Sequence, residues 1–229
     1  MFSRTELLLG DQLKKLRNAK VIVFGVGGVG GYAVEMLVRS GVENITIVDF
    51  DKVDVTNKNR QIIALDSTIG QYKVDVLQSR IKDINSNCSV VALNKKLEPN
   101  NIDSFDLKNF DYVVDAIDMV TSKVALIEYC KINNIPIISA MGVGNRVGIP
   151  DLAITDIYNT NNDGLAKVLR KKLREKDVSS HNVVFCRNNS TSCGDTIGSI
   201  SYFPAMSGCL LASFVINELI KGDCNGCRN

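Results

Sequence analysis

Between Lys20 and Asp118 the sequence sets out, in order, a glycine loop, an acid closing a β-rich run, an Asn-x-x-Arg-Gln segment, a lysine and a pair of aspartates. The loop, GVGGVG, places Gly25, Gly27 and Gly30 in a G-x-G-x-x-G pattern with Gly28 among them. Glycine permits the sharp turn and the close approach of a phosphate. The helix that follows presents free N–H groups and a partial positive charge. Asp49, nineteen residues past Gly30, can accept hydrogen bonds from both hydroxyls of a ribose. These features alone leave a dinucleotide redox carrier and ATP both open. The next stretch, with Asp51, Asn57, Arg60, Gln61 and then Lys73, favours ATP. Opening ATP at its α-phosphate requires fixed positive charge against the triphosphate, the pentacoordinate phosphorus and the leaving pyrophosphate. Arg60 and Lys73 supply that charge and Asn57 adds a neutral donor. Asp115 and Asp118, in VVDAIDM, end a later strand where ligands bind in open α/β sheets, and one of them can hold Mg2+ between phosphate oxygens. Taken singly, Arg60 and Lys73 read as solvated charges and Asp115 as a helix cap. In this order along one α/β unit they read as a site.

Such a set needs strands and helices in alternation, and the hydrophobic periodicity supplies them. KVIVF, NITIVD, SVVAL, DYVVDAI and IPIISAM are strand candidates. VGGYAVEMLVRS, stopping at Gly41, is a predicted helix. So is IGQYKVDVLQSRIKDI, with Val74, Leu77, Ile81 and Ile84 at helical spacing, and so is SKVALIEYCKI. The predicted fold is α/β: a Rossmann-like, doubly wound, mainly parallel sheet with helices on both faces and an irregular C-terminal extension. One domain over 1–229 is expected, with a nucleotide-binding core over 1–150 and a substrate-side extension over 151–229. In that extension LAITDI is a further strand candidate. Residues 178–195 read as a polar, mobile loop around one short strand, NVVF. SISYFPAMSGCLLASFVINELI reads as a strand, then Pro204, then an apolar helix too short to span a bilayer.

The 229 residues are 45% hydrophobic and 23% charged, the composition of a globular chain with a well-buried core. The net charge, 27 − 25 = +2, excludes a protein held on nucleic acid by bulk charge but leaves room for a local basic patch. That patch is LAKVLRKKLREK, where Lys167, Arg170, Lys171, Lys172, Arg174 and Lys176 stand against Glu175 on a helix with apolar positions Leu165, Val168, Leu169 and Leu173. A solvated amphipathic helix and a phosphate-contacting one are equally compatible with this composition. Seven scattered cysteines without a signal-peptide pattern imply reduced thiols and a cytoplasmic protein with no membrane contact. One Cys-x-x-Cys pair, Cys224 and Cys227, has no second pair at ligand spacing, so a closed zinc site is not expected. His181, the one histidine, reads as incidental, with a general-base role open.

The constellation resembles the ubiquitin-activating-enzyme-like (ThiF/MoeB/HesA) adenylating family from about residue 4 to about residue 157. The resemblance implies ATP and Mg2+ as cofactors. It places the nucleotide loop on Gly25, Gly27, Gly28 and Gly30, the ribose acid on Asp49, catalytic charge on Arg60 and Lys73, and the metal on Asp118. It also implies that Arg4, six residues before Gly10, reaches into a partner's ATP site, which requires a homodimer. RTELLLG, TNKNRQIIAL, VDAIDMVTSK, MGVGN, LAKVLRKKLRE and GSISYFPAMSG are similar to the branch of that family acting on N6-threonylcarbamoyladenosine beside the tRNA anticodon. That branch adenylates a carboxylate that the side chain then attacks, with net loss of water. The basic helix, through Lys167, Arg170, Lys171, Lys172 and Arg174, would then contact tRNA. A cysteine-desulfurase/sulfur-acceptor system stands open as a further partner. Activation of a ubiquitin-like sulfur carrier is the alternative within the family. A nicotinamide oxidoreductase and a non-catalytic nucleotide scaffold are the alternatives outside it.

Overall fold

The computed structural model describes residues 1–191 and 196–221. The pair Cys224 and Cys227 lies outside them, as does Cys193. Two short helices, α1 (Ser3–Leu9) and α2 (Gln12–Asn18), precede β1 (Lys20–Phe24). Then follow α3 (Gly30–Ser40), β2 (Asn44–Val48), α4 (Lys73–Ile84), β3 (Ser89–Leu93), β4 (Tyr112–Asp115), α5 (Val120–Ile132) and β5 (Ile137–Ala140). The chain continues through β6 (Leu152–Asp156), α6 (Gly164–Arg174), β7 (Asn182–Cys186) and α7 (Tyr202–Lys221).

Among the described residues seven strands form one sheet in the order β3-β2-β1-β4-β5-β7-β6, parallel throughout except for the antiparallel β6–β7 pair. The order reverses between β1 and β4, the place where ligands gather in such sheets. Alternation along β1 splits two cores. Val21 and Val23 face α3, α4 and α7, whereas Ile22 and Phe24 face α5 and α6. The Rossmann-like class expected from the sequence is therefore present. α3 ends at Gly41 in the left-handed region (φ 117°), as its position after the helical run predicts.

Three expectations for the C-terminal third are corrected. The run NVVF is not a strand inside a loop. It lies as β7 in the sheet interior between β5 and β6, buried along Val183–Cys186. The strand expected before Pro204 is absent among the described residues: α7 begins at Tyr202 and takes Pro204 into its first turn, where a missing N–H costs nothing. That start makes α7 20 residues, long and apolar enough by length and composition to cross a membrane, so the expectation of a shorter helix fails. The helix packs Phe203, Ser207, Gly208, Leu211, Ala212 and Val215 into the core. Gly208 is required there, since a Cβ would stand 2.3 Å from the Val29 carbonyl oxygen.

Candidate functional site

The carboxyl ends of β1, β2 and β4 open into a cleft of about 680 Å3, within the usual range for small-molecule sites. At the end of β1 the chain turns through Gly25 (φ 80°) and enters α3 at Gly30. A Cβ on Gly25 would lie 2.7 Å from the Ala116 oxygen, and one on Gly30 would lie 1.8 Å from the Gly25 oxygen, so side chains are excluded at both positions. Gly25, Gly27 and Gly28 line the cleft. Asp49 braces this loop while bordering the cleft. Its Oδ2 accepts from Val26 N at 2.8 Å and its Oδ1 from Asp51 N at 2.9 Å. An ionised carboxylate has about four lone-pair sites, so two remain beyond these backbone bonds.

After β2 the chain makes a 3-10 turn over Val55–Asn57, closed by Asp54. Asn57 Oδ1 accepts from Asp54 N at 3.1 Å, which leaves its amide N–H groups for the cleft. Arg60 Nη1 donates to Thr56 O at 3.0 Å and Asn59 Oδ1 at 2.9 Å, which fixes the guanidinium at the cleft wall. Gln61 is buried beside the glycine loop, and its Oε1 has no hydrogen-bond partner among the described residues. Lys73, the first residue of α4, reaches Asp51 Oδ2 at 2.8 Å. An isolated bridge between Lys52 and Tyr72 holds these two segments together.

The two aspartates after β4 part company. Asp118 is exposed on the β4–α5 loop, lines the cleft, and makes no hydrogen bond or ion pair among the described residues. Asp115 corrects the expectation of a nucleotide contact, because it is fully buried beneath the cleft floor. Its Oδ2 accepts from Lys123 Nζ at 2.7 Å and Ser139 Oγ at 2.6 Å, and its Oδ1 from Ile117 N at 3.0 Å. Lys123 also donates to the Ala140 oxygen at 3.1 Å. His181 extends this network, with Nε2 2.8 Å from Ser139 Oγ.

His181 is therefore a buried structural residue and not an incidental loop side chain. Burial, with smaller contributions from Lys131 and Lys123, holds its imidazole well below the usual pKa. An unfolded histidine takes up a proton below about pH 6.5, whereas this one resists it in the fold. Its contribution is thus present above that pH and is lost as the pH falls. We expect the urea midpoint to drop between about pH 7 and about pH 5, and His181→Asn to flatten the drop; an equally steep dependence in the variant refutes the assignment.

Several cleft residues carry no local sequence signal of their role: Phe50, Leu97, Ile117, Met119, Ser122, Val143, Gly144, Ile197, Ser199 and Pro204. Lys95 and Lys96 could have been found, since they stand just past the carboxyl end of β3, beyond Asn94. Arg4 lies on α1, exposed and not among the residues lining the cleft of its own chain, on the same helix as the exposed Leu7 and Leu8. α6 buries Ala166, Leu169 and Leu173, while Val168, expected on its apolar face, is exposed. Lys167, Lys171 and Lys172 project outward. Arg170 is turned back to the Thr160 oxygens, and Arg174 stacks on Tyr158 at 5.0 Å. The described cysteines offer no thiolate. Burial pushes Cys88 up to about 11 and Cys130 up to about 12, and raises Cys186 and Cys209.

A model of the ThiF family matches residues 3–226. The tRNA threonylcarbamoyladenosine dehydratase of Bacillus subtilis is 38% identical, over 96% of this chain and 94% of that protein. The Haemophilus influenzae protein of the same name is 35% identical, over 92% and 89%. Crystal structures of Escherichia coli tRNA N6-threonylcarbamoyladenosine dehydratase in complex with AMP and with ATP match at a TM-score of 0.92, with 32% and 33% identity over 98% of this chain and 96% of that one.

Proposed function

The chain belongs to the ThiF family, and on that premise we propose that it catalyses the ATP-dependent dehydration of N6-threonylcarbamoyladenosine in tRNA, adenylating the threonyl carboxylate so that the side chain closes into a ring. The observation that carries this reading is the cleft itself: a glycine loop, a ribose acid, an amide, two cations and a free aspartate meet where the sheet order reverses, in a chain that matches a dehydratase bound to ATP.

A carboxylate is a poor acyl donor because oxide is a poor leaving group. Its attack on the α-phosphorus forms an acyl–AMP anhydride and expels pyrophosphate. A nucleophile of the same side chain then closes on the acyl carbon, and AMP departs with one carboxylate oxygen. That closure is intramolecular, so effective molarity replaces a catalytic cysteine. Arg60 and Lys73 face the phosphates, with Lys73 leaving Asp51 for them, and Asn57 adds amide donors. Asp118 would hold Mg2+. Its hard carboxylate oxygens, which make no hydrogen bond or ion pair among the described residues, suit a hard cation that would supply positive charge against the departing pyrophosphate. The test is mass analysis of anticodon-loop nucleosides after modified tRNA is incubated with ATP and the protein. Loss of one water is expected, while pyrophosphate exchange driven by a carrier protein and not by tRNA would overturn the reading.

The reading extends to a soluble cytoplasmic homodimer in which Arg4 completes the partner's site. An exposed arginine that does not line its own cleft, on a helix with two exposed leucines, supports this. Inactive Arg4→Ala and Lys73→Met proteins, mixed and re-equilibrated, should regain about a quarter of wild-type turnover, since half the dimers then hold one complete site. No recovery in mixed dimers refutes the trans arrangement. The outward lysines of α6 support a tRNA contact. Reversing Lys171 and Lys172 to Glu should weaken tRNA binding about tenfold or more at low salt, flatten its salt dependence, and leave ATP affinity intact; unchanged tRNA affinity refutes it.

A further inference from the structure

One side of the cleft is built by two segments far apart in sequence, and together they face the glycine loop. Val143 and Gly144 come from the loop after β5; Ile197 and Ser199 come from the approach to α7, and Pro204 from its first turn. The wall is continuous. Gly144 packs so closely on Ile197 that a Cβ would stand 2.4 Å from its Cγ2, and Asn59 Nδ2 donates to the Ser199 oxygen at 3.0 Å. A Cβ on Gly28 would stand 3.2 Å from Pro204 Cβ and 3.4 Å from Arg60 Cγ, which brings the wall to the phosphate loop and the cation.

Asn145 clamps the two segments. Its N donates to the Gly198 oxygen at 2.8 Å, its Oδ1 accepts from Gly198 N at 2.5 Å, and its carbonyl accepts from Thr191 N at 2.6 Å. It adopts a φ of 56°, a conformation asparagine tolerates better than most side chains. The neighbouring Arg146 is buried. It donates to the carbonyls of Asn188 and Asn162 and lies 3.8 Å from Asp163, the N-cap of α6. The wall thus stands between the phosphate loop and the basic helix.

Ile197 is 76% exposed on this wall, an apolar side chain held in the open by a clamp that costs backbone freedom. With Val143 and Pro204 it offers a small apolar surface beside the Arg60 guanidinium. That pairing suits a carboxylate carried next to a short aliphatic group. We propose that Val143, Gly144, Ile197, Ser199 and Pro204 form the acceptor subsite, which takes the carboxylate-bearing end of an N-acylated amino acid while ATP occupies the Gly25–Asp118 side, and that Asn145 is its positioning residue. The proposal deepens the dehydratase reading and rests on it.

Steady-state kinetics with threonylcarbamoyl-modified tRNA, together with calorimetric ATP titration, test it on the full chain. Ile197→Glu sets a negative charge against the incoming carboxylate at an exposed position. It should raise KM for the tRNA about tenfold or more without weakening ATP binding. Asn145→Ala should raise the same KM, also without loss of ATP affinity. An active wild type with an unchanged KM in Ile197→Glu, or equal losses for tRNA and ATP in both Ile197→Glu and Asn145→Ala, overturns the subsite. A wild type that binds ATP and converts no modified tRNA overturns the dehydratase reading itself.

Discussion

Lys73→Met should nearly abolish turnover while leaving the fold intact. The ammonium of Lys73 meets Asp51 at 2.8 Å, but the Asp51 side chain is 48% exposed. Water screens what remains when the cation is removed, and such a pair stabilises by about 1 kcal/mol or less. Methionine retains most of the buried stem, so packing changes little. The chemical loss is much larger. A fixed charge aimed at a developing phosphorane and at departing pyrophosphate is worth about 10²–10³ in rate when removed. We therefore expect adenylate formation, read as pyrophosphate release per enzyme, to fall by that factor while the thermal midpoint moves by less than about 4 °C. Retention of more than a tenth of wild-type turnover would remove Lys73 from the phosphate site.

The same exchange at Lys123 should do the reverse to stability. Lys123 and Asp115 both have fully buried side chains, and Lys123 binds Asp115 and the Ala140 carbonyl at once. Methionine leaves the Asp115 carboxylate without its counter-charge, held by Ser139 and the Ile117 N–H alone. An uncompensated buried charge of this kind costs about 3–5 kcal/mol, which corresponds to a fall in thermal midpoint of roughly 10 °C in a chain of this size. Adding Asp115→Asn removes the orphaned charge and should restore part of the loss, a coupling that a double-mutant cycle reads directly. A Lys123→Met protein as stable as wild type would show that the buried pair contributes nothing. Two lysines of the same charge thus separate by the exposure of their partners, and that separation is invisible in the residue types.

Local periodicity determined the alternation of strands and helices, because the spacing of apolar residues at two and at 3.6 reports the faces of each element without reference to any other. It likewise determined the glycine loop: steric exclusion at Gly25 and Gly30 is met within one strand–turn–helix unit. The order from Asp49 to Lys73 was legible for the same reason, since one crossover carries it. What lies beyond that range was decided by the tertiary structure. Asp115 and Asp118 are three residues apart and of one type, yet strand geometry buries the first beneath the floor and the loop exposes the second in the cleft. His181 became a structural group only because β7 inserts between β5 and β6 and carries it to Ser139. Pro204 reaches the glycine loop at Gly28, and Ser199 reaches Asn59, through contacts spanning more than a hundred residues, fixed by sheet order and by the docking of α7 on α3, and a pattern read along one segment does not encode such long-range closure.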